Sequence, residues 1–575
     1  MNIFTHFSQQ ITMITDHLVQ NGTITLSGES RPAACEPPRD PSHGDLSTNY
    51  AMVMAKLAGM PPRDLAALLV KDIAALDGVA EVSIAGPGFI NLTLEPHMWQ
   101  GRIDDILSAG SKWGVNNLGN GEKINVEYVS ANPTGPLHAA HARGAIIGDS
   151  LANLLNICGY NVTREYYIND AGKQVEMLAR SVFTRYKQAL GDTSAEVMEG
   201  QYPGEYLKDT AAKLVETHGD ALLNMDETEW LPLIRLFAID DMMLSIKSDL
   251  ERLNIHMDRF SSEQQLVTDG AVDAAMNTLT DKGLIYQGVL EKPKAGNAEE
   301  WEPREQMLFR STDFGDDVDR AVKKSDGSWT YFASDIAYHL DKLNRGSDTL
   351  INIWGADHGG YVKRMKSAVS AFTGNKDSLN IQLVQLVKLM DGGQQVKMSK
   401  RAGTFVTLSD VLDAVGRDIL RFIMLTRRAD QTMDFDYAEV TTQSRENPVF
   451  YVQYAHARAS SVMRKDEVAQ INMADADLGL LTDSNEMALI RQLASFPRLV
   501  EAAGQAFEPH RIAFYLMDLA ASFHGLWNKG RDDASLRFIT DDPKLTAARL
   551  KLVDATAVVI RNGFAILGVE AIKEM

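Results

Sequence analysis

The chain has 575 residues, 45% hydrophobic and 23% charged, a globular balance that excludes a mainly disordered polypeptide. Its 57 basic and 77 acidic residues leave a formal charge of −20, which argues against broad binding to nucleic acids or anionic membranes but leaves local basic patches open. Two distant cysteines, Cys35 and Cys158, form no pair motif, so a reducing, cytoplasmic setting without disulfides or thiolate zinc is expected.

Residues 1–115 open with a predicted helix whose start lacks the basic lead and apolar run of a signal peptide. A Pro- and Ser-rich loop at 27–43 leads to helical patterns around 48–58 and 62–75. A strand pair broken by Gly86-Pro87-Gly88 follows, giving a small α+β unit. Residues 113–123 are polar, glycine-rich and linker-like. From Ile124 come a strand (124–129), the turn SANPTGP, a helix from about 138 to 158 and a strand at 162–168, which together form a βαβ unit. The sheet resumes at 349–354 and 383–389, so roughly 175–310 reads as a mostly helical insertion. Helical stretches at 409–427, 445–465, 484–503, 509–529 and 543–566 fit an antiparallel bundle. The expected fold is multidomain α/β: an N-terminal α+β domain (1–115), a Rossmann-like parallel-sheet core (116–408) and a helical bundle (409–575). Apolar stretches are too short to span a bilayer, so no membrane partner is expected.

Two constellations carry chemistry. In the first, Pro133, Gly135 and Pro136 fix a tight turn after a strand, and His138 and His141 share a face at the start of a helix. Helix N-termini suit phosphate, and imidazoles there can donate to phosphate oxygens. Capping or packing is the bland reading of the pair. Zincin spacing and the dinucleotide GxGxxG are both missing. In the second, Lys397-Met398-Ser399-Lys400-Arg401 crowds cations in a non-regular segment, which a triphosphate would relieve. A solvated basic loop is the alternative, and no Walker loop is present.

Together these motifs resemble the two signature sequences of class I aminoacyl-tRNA synthetases. Glu127-Tyr128-Val129-Ser130-Ala131-Asn132-Pro133-Thr134-Gly135-Pro136-Leu137-His138 is similar to the arginyl-tRNA synthetase form. So are Arg164–Gly172, Trp329–Ile336, Trp354–Gly359, Glu446–Arg458 and the ending Leu567–Ala571. The resemblance runs along nearly the whole chain. It implies ligation of L-arginine to tRNA(Arg) in two steps through an arginyl adenylate, with bound tRNA needed for the first.

By that resemblance His138 and His141 stabilise the α-phosphate, with Gly135 in the same turn. Lys397 and Lys400 meet the leaving pyrophosphate, and Ser399 orients their loop. ATP enters as substrate, Mg²⁺ rides mainly on its phosphates, and neither a protein metal ligand nor structural zinc is expected. The family pattern puts Glu127, Tyr331 and Asp335 around the guanidinium, whose planar fork suits carboxylates. Asn132 holds the α-ammonium with help from Asp357 or His358. Read without the family, Glu127 pairs with an internal arginine and Tyr331 lies in the core. Tyr331 and Asp335 share a face only if their stretch is helical. Ala140 stands where the family usually has glycine, next to where adenine approaches the backbone.

For tRNA, Phe89 and Asn91 match the element that touches the elbow, with a core aromatic as the other reading of Phe89. Tyr451, Tyr454, His456 and Arg458 form an aromatic and cationic face for the anticodon, or pack the bundle. Arg421, Arg427 and Arg428 offer phosphate contacts. A monomer is expected from the family. Two other readings stay open: a class I synthetase for a different amino acid, and a non-catalytic tRNA-binding relative.

Overall fold

The structure, a computed structural model, describes residues 2–290, 304–396, 406–442, 444 and 446–575. The N-terminal unit packs helices Ile3–Gln20, Tyr50–Ala58 and Pro62–Ile73 on an antiparallel sheet of β1 (Leu46–Thr48), β2 (Val79–Ala85) and β3 (Phe89–Leu94), in the order β1-β3-β2. Gly86 and Gly88 turn the β2–β3 hairpin at φ +51° and +137°, values that L side chains resist. The linker-like stretch is no free tether. Trp113 is buried, and its indole N–H donates to the Leu493 carbonyl at 3.3 Å, so the bundle holds it.

The core is a five-stranded parallel sheet. Its strands are β4 (Lys123–Glu127), β5 (Asn161–Ile168), β6 (Arg259–Ser262), β10 (Thr349–Gly355) and β11 (Leu379–Val384), in the order β11-β10-β4-β5-β6. Between β6 and β10 runs a small antiparallel sheet of β7 (Ile285–Gly288), β8 (Gln306–Phe309) and β9 (Arg320–Ala321). Connections leave β4 in opposite directions, so the switch point lies between β4 and β10, where open parallel sheets bind ligands at their carboxyl edge.

The helix Ala139–Ile157 covers this sheet and is buried nearly all round, as its mixed apolar sequence requires. Gly148 lets it lie on Tyr128, since a Cβ there would overlap the ring. Helices Lys173–Ala189, Tyr206–His218 and Glu227–Arg252 form the insertion around their own core of Leu178, Val182, Tyr186, Leu207 and Trp230.

One expectation is refined and one is corrected here. Within the mostly helical insertion, β6, only RFSS, adds to the sheet beside β5. The expected strand 383–389 is two strands, because the chain leaves the parallel sheet at Gln385 and starts β12 (Val387–Asp391) in a separate sheet with β13 (Gln394–Gln395) and β14 (Met433–Asp436). The apolar-rich run LVQLVKL hid that break.

The bundle consists of helices Pro448–Met463, Ser484–Ala506, His510–Asp532 and Pro543–Leu567. The helix expected at 409–427 is split by Gly416 at φ +81° into Leu408–Val415 and Arg417–Met424. Beyond them β14 pairs in parallel with β12, so the stretch after residue 408 leans on the catalytic side before the bundle begins. Arg421, expected to meet phosphate, is fully buried instead. It pairs with Asp149 at 2.5 Å and donates to the Leu253 and Leu567 carbonyls at 2.8 Å each. The neighbouring Gly568, at φ +67°, leaves room for its guanidinium.

Candidate active site

The strand β4 ends at Glu127 on the carboxyl edge of the sheet, and the chain then turns through Val129 and Ser130 at φ +70° and +40°. Left-handed backbone is costly for a β-branched residue and is kept only where the surroundings over-determine it. Here the Ser130 hydroxyl donates to Glu127 Oε1 at 3.0 Å and accepts from the Tyr167 N–H at 3.1 Å. The Tyr166 hydroxyl holds the Ala131 carbonyl at 2.7 Å, and the Tyr206 hydroxyl, from the insertion, holds that of Thr134 at 2.6 Å. Gly135 lies under the same phenol: a Cβ there would be 3.0 Å from its oxygen.

This pinned turn delivers His138 as N-cap of the helix Ala139–Ile157. Its ring stacks on that of His141, with centroids 3.7 Å apart and planes at 25°. The His138 backbone N–H donates to His141 Nδ1 at 3.3 Å, so a neutral His141 ring carries its proton on Nε2. Both imidazoles therefore sit where the helix N-terminus presents N–H groups. Ala140 lies between them on the exposed side of the first turn.

Lys397, Ser399 and Lys400 lie outside the described residues. The residues that bracket them do not. β13 ends at Gln395, and on the far side Thr407 bridges His138, with the Leu408 N–H on the Leu137 carbonyl at 2.8 Å. The chain thus returns from the lysine segment directly beside the histidines.

Carboxylates gather at the same edge. Glu127 ends β4, Asp170 follows β5 and Glu263 follows β6, while Asp335 lies on the helix Tyr331–Asn344. That stretch is helical, so Tyr331 and Asp335 do share a face. Tyr331 is exposed, with Lys324 Nζ 5.2 Å from its ring centroid and its hydroxyl facing Gly172. Asp335 accepts from the Tyr361 hydroxyl at 2.5 Å. Burial, reinforced by the negative charge of Glu127, pushes its pKa up to about 7 against the Tyr361 hydrogen bond. Burial likewise lifts Glu263 to about 7, with Asp335 and Asp170 adding to the rise. Burial and four carboxylates, Glu263, Asp335, Glu127 and Asp170, also raise the Tyr167 phenol. Its buried hydroxyl has no partner among the described residues. Burial and mutual repulsion outweigh the pull of Lys342 and Arg364 on Asp335, so the cluster would be relieved by a further cation.

Glu127 itself is engaged. Its Oε2 takes the fully buried Lys342 ammonium at 2.5 Å, and Lys342 also reaches Asn352 Oδ1 at 3.2 Å. The expected open guanidinium fork at Glu127 is therefore closed from within, by lysine where the family-free reading had an arginine. Asn132 is exposed, with its amide on Gln174 at 2.9 Å. Asp357 and His358 follow β10 at the switch point, both exposed and 3.8 Å apart. Asp170, Glu263, Tyr167 and Lys342 escaped the sequence reading. Placing β6 beside β5 would have exposed Glu263 as an edge residue.

On the tRNA side, Phe89 is 38% exposed at the start of β3, while Asn91 is buried within that strand and, as folded, does not present its amide to a base. On the bundle, Arg458 is sandwiched with its guanidinium 4.3 Å from the Tyr454 ring and 4.6 Å from Trp527. It also bonds the Tyr454 hydroxyl and His524 Nδ1 at 2.8 Å each, and Tyr451 packs on His524 with centroids 4.6 Å apart. His456 is buried and holds the Ile572 carbonyl at 2.7 Å, so it belongs to the packing. Arg427 and Arg428 are exposed, the latter paired with Asp430 at 3.1 Å. His524 and Trp527 come from a second helix that no local spacing pairs with the first.

Comparison with known proteins adds three matches. Residues 5–94 match the family described as arginyl tRNA synthetase N terminal domain. Residues 102–444 match the tRNA synthetases class I (R), catalytic domain, and 452–575 the DALR anticodon binding domain. The arginine--tRNA ligase of Parvibaculum lavamentivorans is 55% identical over 582 residues, covering 100% of both chains. That of Ruegeria pomeroyi is 54% identical over 581 residues with the same coverage. A solved arginyl-tRNA synthetase structure from Campylobacter jejuni aligns with a TM-score of 0.72 at 32% identity, covering 84% of this chain and 100% of that one. The Thermus thermophilus arginyl-tRNA synthetase aligns over 100% of both chains with a TM-score of 0.76 at 19% identity, a likeness of fold.

Proposed function

The chain belongs to the arginyl-tRNA synthetase family of class I synthetases, and from that premise we propose how its own residues carry the reaction. The activity is ATP-dependent ligation of L-arginine to tRNA(Arg) through an arginyl adenylate, with release of AMP and diphosphate. One observation carries the residue assignment: the stacked histidines and the cation-seeking carboxylates lie on one edge of one sheet, joined by the turn 128–137.

The arginine guanidinium enters the carboxylate pocket, where Asp335 and Glu263 ionise against it and Tyr167 and Tyr331 complete its walls. Glu127 lines that pocket already paired to Lys342. Asn132, with Asp357 or His358, meets the α-ammonium and so aims the substrate carboxylate at the α-phosphate. A carboxylate is a competent nucleophile, so alignment and charge stabilisation do the catalysis. His138 and His141 donate to the phosphate oxygens as charge builds, beside Gly135. Lys397 and Lys400, with Ser399, attend the departing diphosphate.

An ammonium in place of the guanidinium would leave carboxylate acceptors unpaired, which sets the pocket against lysine. The histidine turn offers imidazoles and N–H groups, whereas Mg²⁺ is a hard cation that takes oxygen ligands, so in this reading it comes bound to the nucleotide phosphates. Structural zinc forms no part of the reading.

Phe89 and Asn91 face the tRNA elbow, the latter after local rearrangement. Tyr451, Tyr454 and Arg458 face the anticodon, with His524 and Trp527 added. The units responsible are 1–115, 116–408 and 409–575. The enzyme acts as a cytoplasmic monomer. Among the described residues no helix is long and apolar enough to cross a membrane.

The test is ATP–pyrophosphate exchange across the amino acids, with and without tRNA(Arg). Exchange with arginine alone among them, requiring tRNA, is expected. Exchange driven by another amino acid would overturn the specificity, and tight tRNA binding without any exchange would overturn catalysis. Asp335→Ala should raise the KM for arginine at least tenfold; unchanged arginine kinetics would remove Asp335 from the pocket.

A further inference from the structure

Arg143 lies two residues after His141 on the histidine helix, and the reaction as described gives it no part. Its side chain is fully buried. The guanidinium faces only backbone: Nη1 donates to the carbonyls of Gln385 at 3.1 Å and Gln431 at 2.6 Å, and Nη2 to that of Arg428 at 2.8 Å. Nearly every buried cation in a protein is matched by a carboxylate, because desolvating a charge costs several kcal/mol on the order of magnitude of a whole ion pair. The carboxylate whose charge acts on it, Asp430, is exposed and committed to Arg428. Burial draws Arg143 down to about 10, which leaves it charged at neutral pH.

The three carbonyls belong to one knot of chain. Gln385 is where the polypeptide leaves β11, and 428–431 is the turn that leads into β14. The two segments are laced together by the Gln385 N–H on the Ala429 carbonyl at 2.9 Å and the Met433 N–H on the Leu386 carbonyl at 3.2 Å. From this knot β12 and β14 run side by side. The Asp436 carboxylate at the end of β14 then grips the Gly392 and Gly393 N–H groups at 3.1 and 2.7 Å, fixing the turn from β12 into β13. The next residues are the segment 397–405.

Among the described residues no strand ladder joins the β12–β13–β14 sheet to the five-stranded sheet. The place of that small sheet relative to the histidines must come from elsewhere. On the outgoing side, Val406 to Leu408 pair with Leu137 to Ala139. On the incoming side, Arg143 ties the knot to the histidine helix, which also packs on β12 through the core that Val387 and Leu389 share with it. One helix thus carries both histidines and fixes both stems of the following basic segment.

We propose that Arg143 is a positioning residue for the nucleotide steps, holding the β12–β13 hairpin at a set distance from His138 and His141. The inference rests on the family reading of the histidines as phosphate-binding groups. It goes beyond that reading in naming the part that fixes the geometry between the two halves of the site. Guanidinium is needed because its planar fork spans three carbonyls, whereas a lysine ammonium is one point charge on a different stem.

The experiment uses the full-length enzyme, Arg143→Lys and Arg143→Met, with Leu516→Ala in the bundle core as a control for general destabilisation. Arginine-dependent ATP–pyrophosphate exchange is measured with tRNA(Arg) present, varying ATP and arginine separately. tRNA binding is measured by filter retention. Both Arg143 variants should lose about ten- to a hundredfold in kcat/KM for ATP, while the KM for arginine and the Kd for tRNA stay within twofold. The control should show no such split. If Arg143→Met fails to fold, Arg143→Lys carries the same expectation.

An active wild type with Arg143→Lys unchanged in ATP kinetics overturns this inference alone. So does a loss in which arginine KM and tRNA Kd move as far as the ATP parameters, since that marks a merely structural part. A wild type without arginine-dependent exchange overturns the family reading and this inference with it.

Discussion

The ammonium of Lys342 lies 2.5 Å from Oε2 of Glu127, both groups buried, at the edge where a second cation is to be received. The pocket proposed for arginine thus contains a lysine of its own. The pair divides the local carboxylates: Glu127 is neutralised from within, while at Asp335 burial outweighs the pull of Lys342 and Arg364, and Glu263 lies buried beside Asp335 and Asp170. Removing one partner of a buried pair strands the other, at a cost of about 3–5 kcal/mol. Lys342→Met should therefore destabilise the enzyme by about that much in urea unfolding. Adding Glu127→Gln should recover part of the loss. Two changes whose costs simply add would show that the pair is not coupled.

Arginine affinity should depend on pH through Asp335 and Glu263. Burial raises both to about 7, so the ionised forms are lost as pH falls through that value. A bound guanidinium favours the ionised forms and releases protons. Affinity measured by calorimetry should drop between pH 8 and 6, with net proton release near pH 6.5 seen by varying the buffer. The same shifts act on stability with the opposite sense. Each group binds its proton more tightly folded than unfolded, so its contribution declines as pH rises from about 4 to 7. A flat arginine affinity across this range would take both groups out of the pocket.

Ala140 offers a test of the nucleotide side. Its methyl lies exposed on the first turn of the histidine helix, where glycine would let a base come closer to the backbone. Ala140→Gly should lower the KM for ATP severalfold and cost up to about 1 kcal/mol of stability. Unchanged ATP kinetics would show that the base does not approach that turn.

In the proposed reading, the sandwich of Arg458 between Tyr454 and Trp527 is a platform for an unstacked base of the tRNA. Stacking of this kind contributes about 1–3 kcal/mol per base. Trp527→Ala should weaken tRNA(Arg) binding by about five- to a hundredfold on that scale and leave the arginine KM unchanged. Binding should also weaken steeply with salt, through the exposed Arg427 and Arg428. A Trp527→Ala enzyme with unaltered tRNA affinity would make the sandwich a packing feature only.

Much of this was legible in the sequence. Helical periodicity located the bundle, apolar runs located β4, β5 and β10, and the histidine turn announced itself by its prolines. The misses share a physical origin. β6 has four residues and little apolar signal, so its carboxylate Glu263 went unseen. The run LVQLVKL reads as one strand because hydrophobicity does not register that Gln385 turns out of the sheet. Lys342 and Arg421 are charged residues that folding hides, and a linear sequence gives each the appearance of a surface group. Their partners, Glu127 and Asp149, lie hundreds of residues away.

The buried guanidinium of Arg421 joins the Leu567 carbonyl to Asp149 on the helix that His138 caps. A single interior charge therefore couples three stretches far apart along the chain: the histidine helix, the Leu253 carbonyl after the helix Glu227–Arg252, and the close of the bundle. Loosening the bundle at residue 567 would thus unbalance the same cation that braces the helix bearing the histidines.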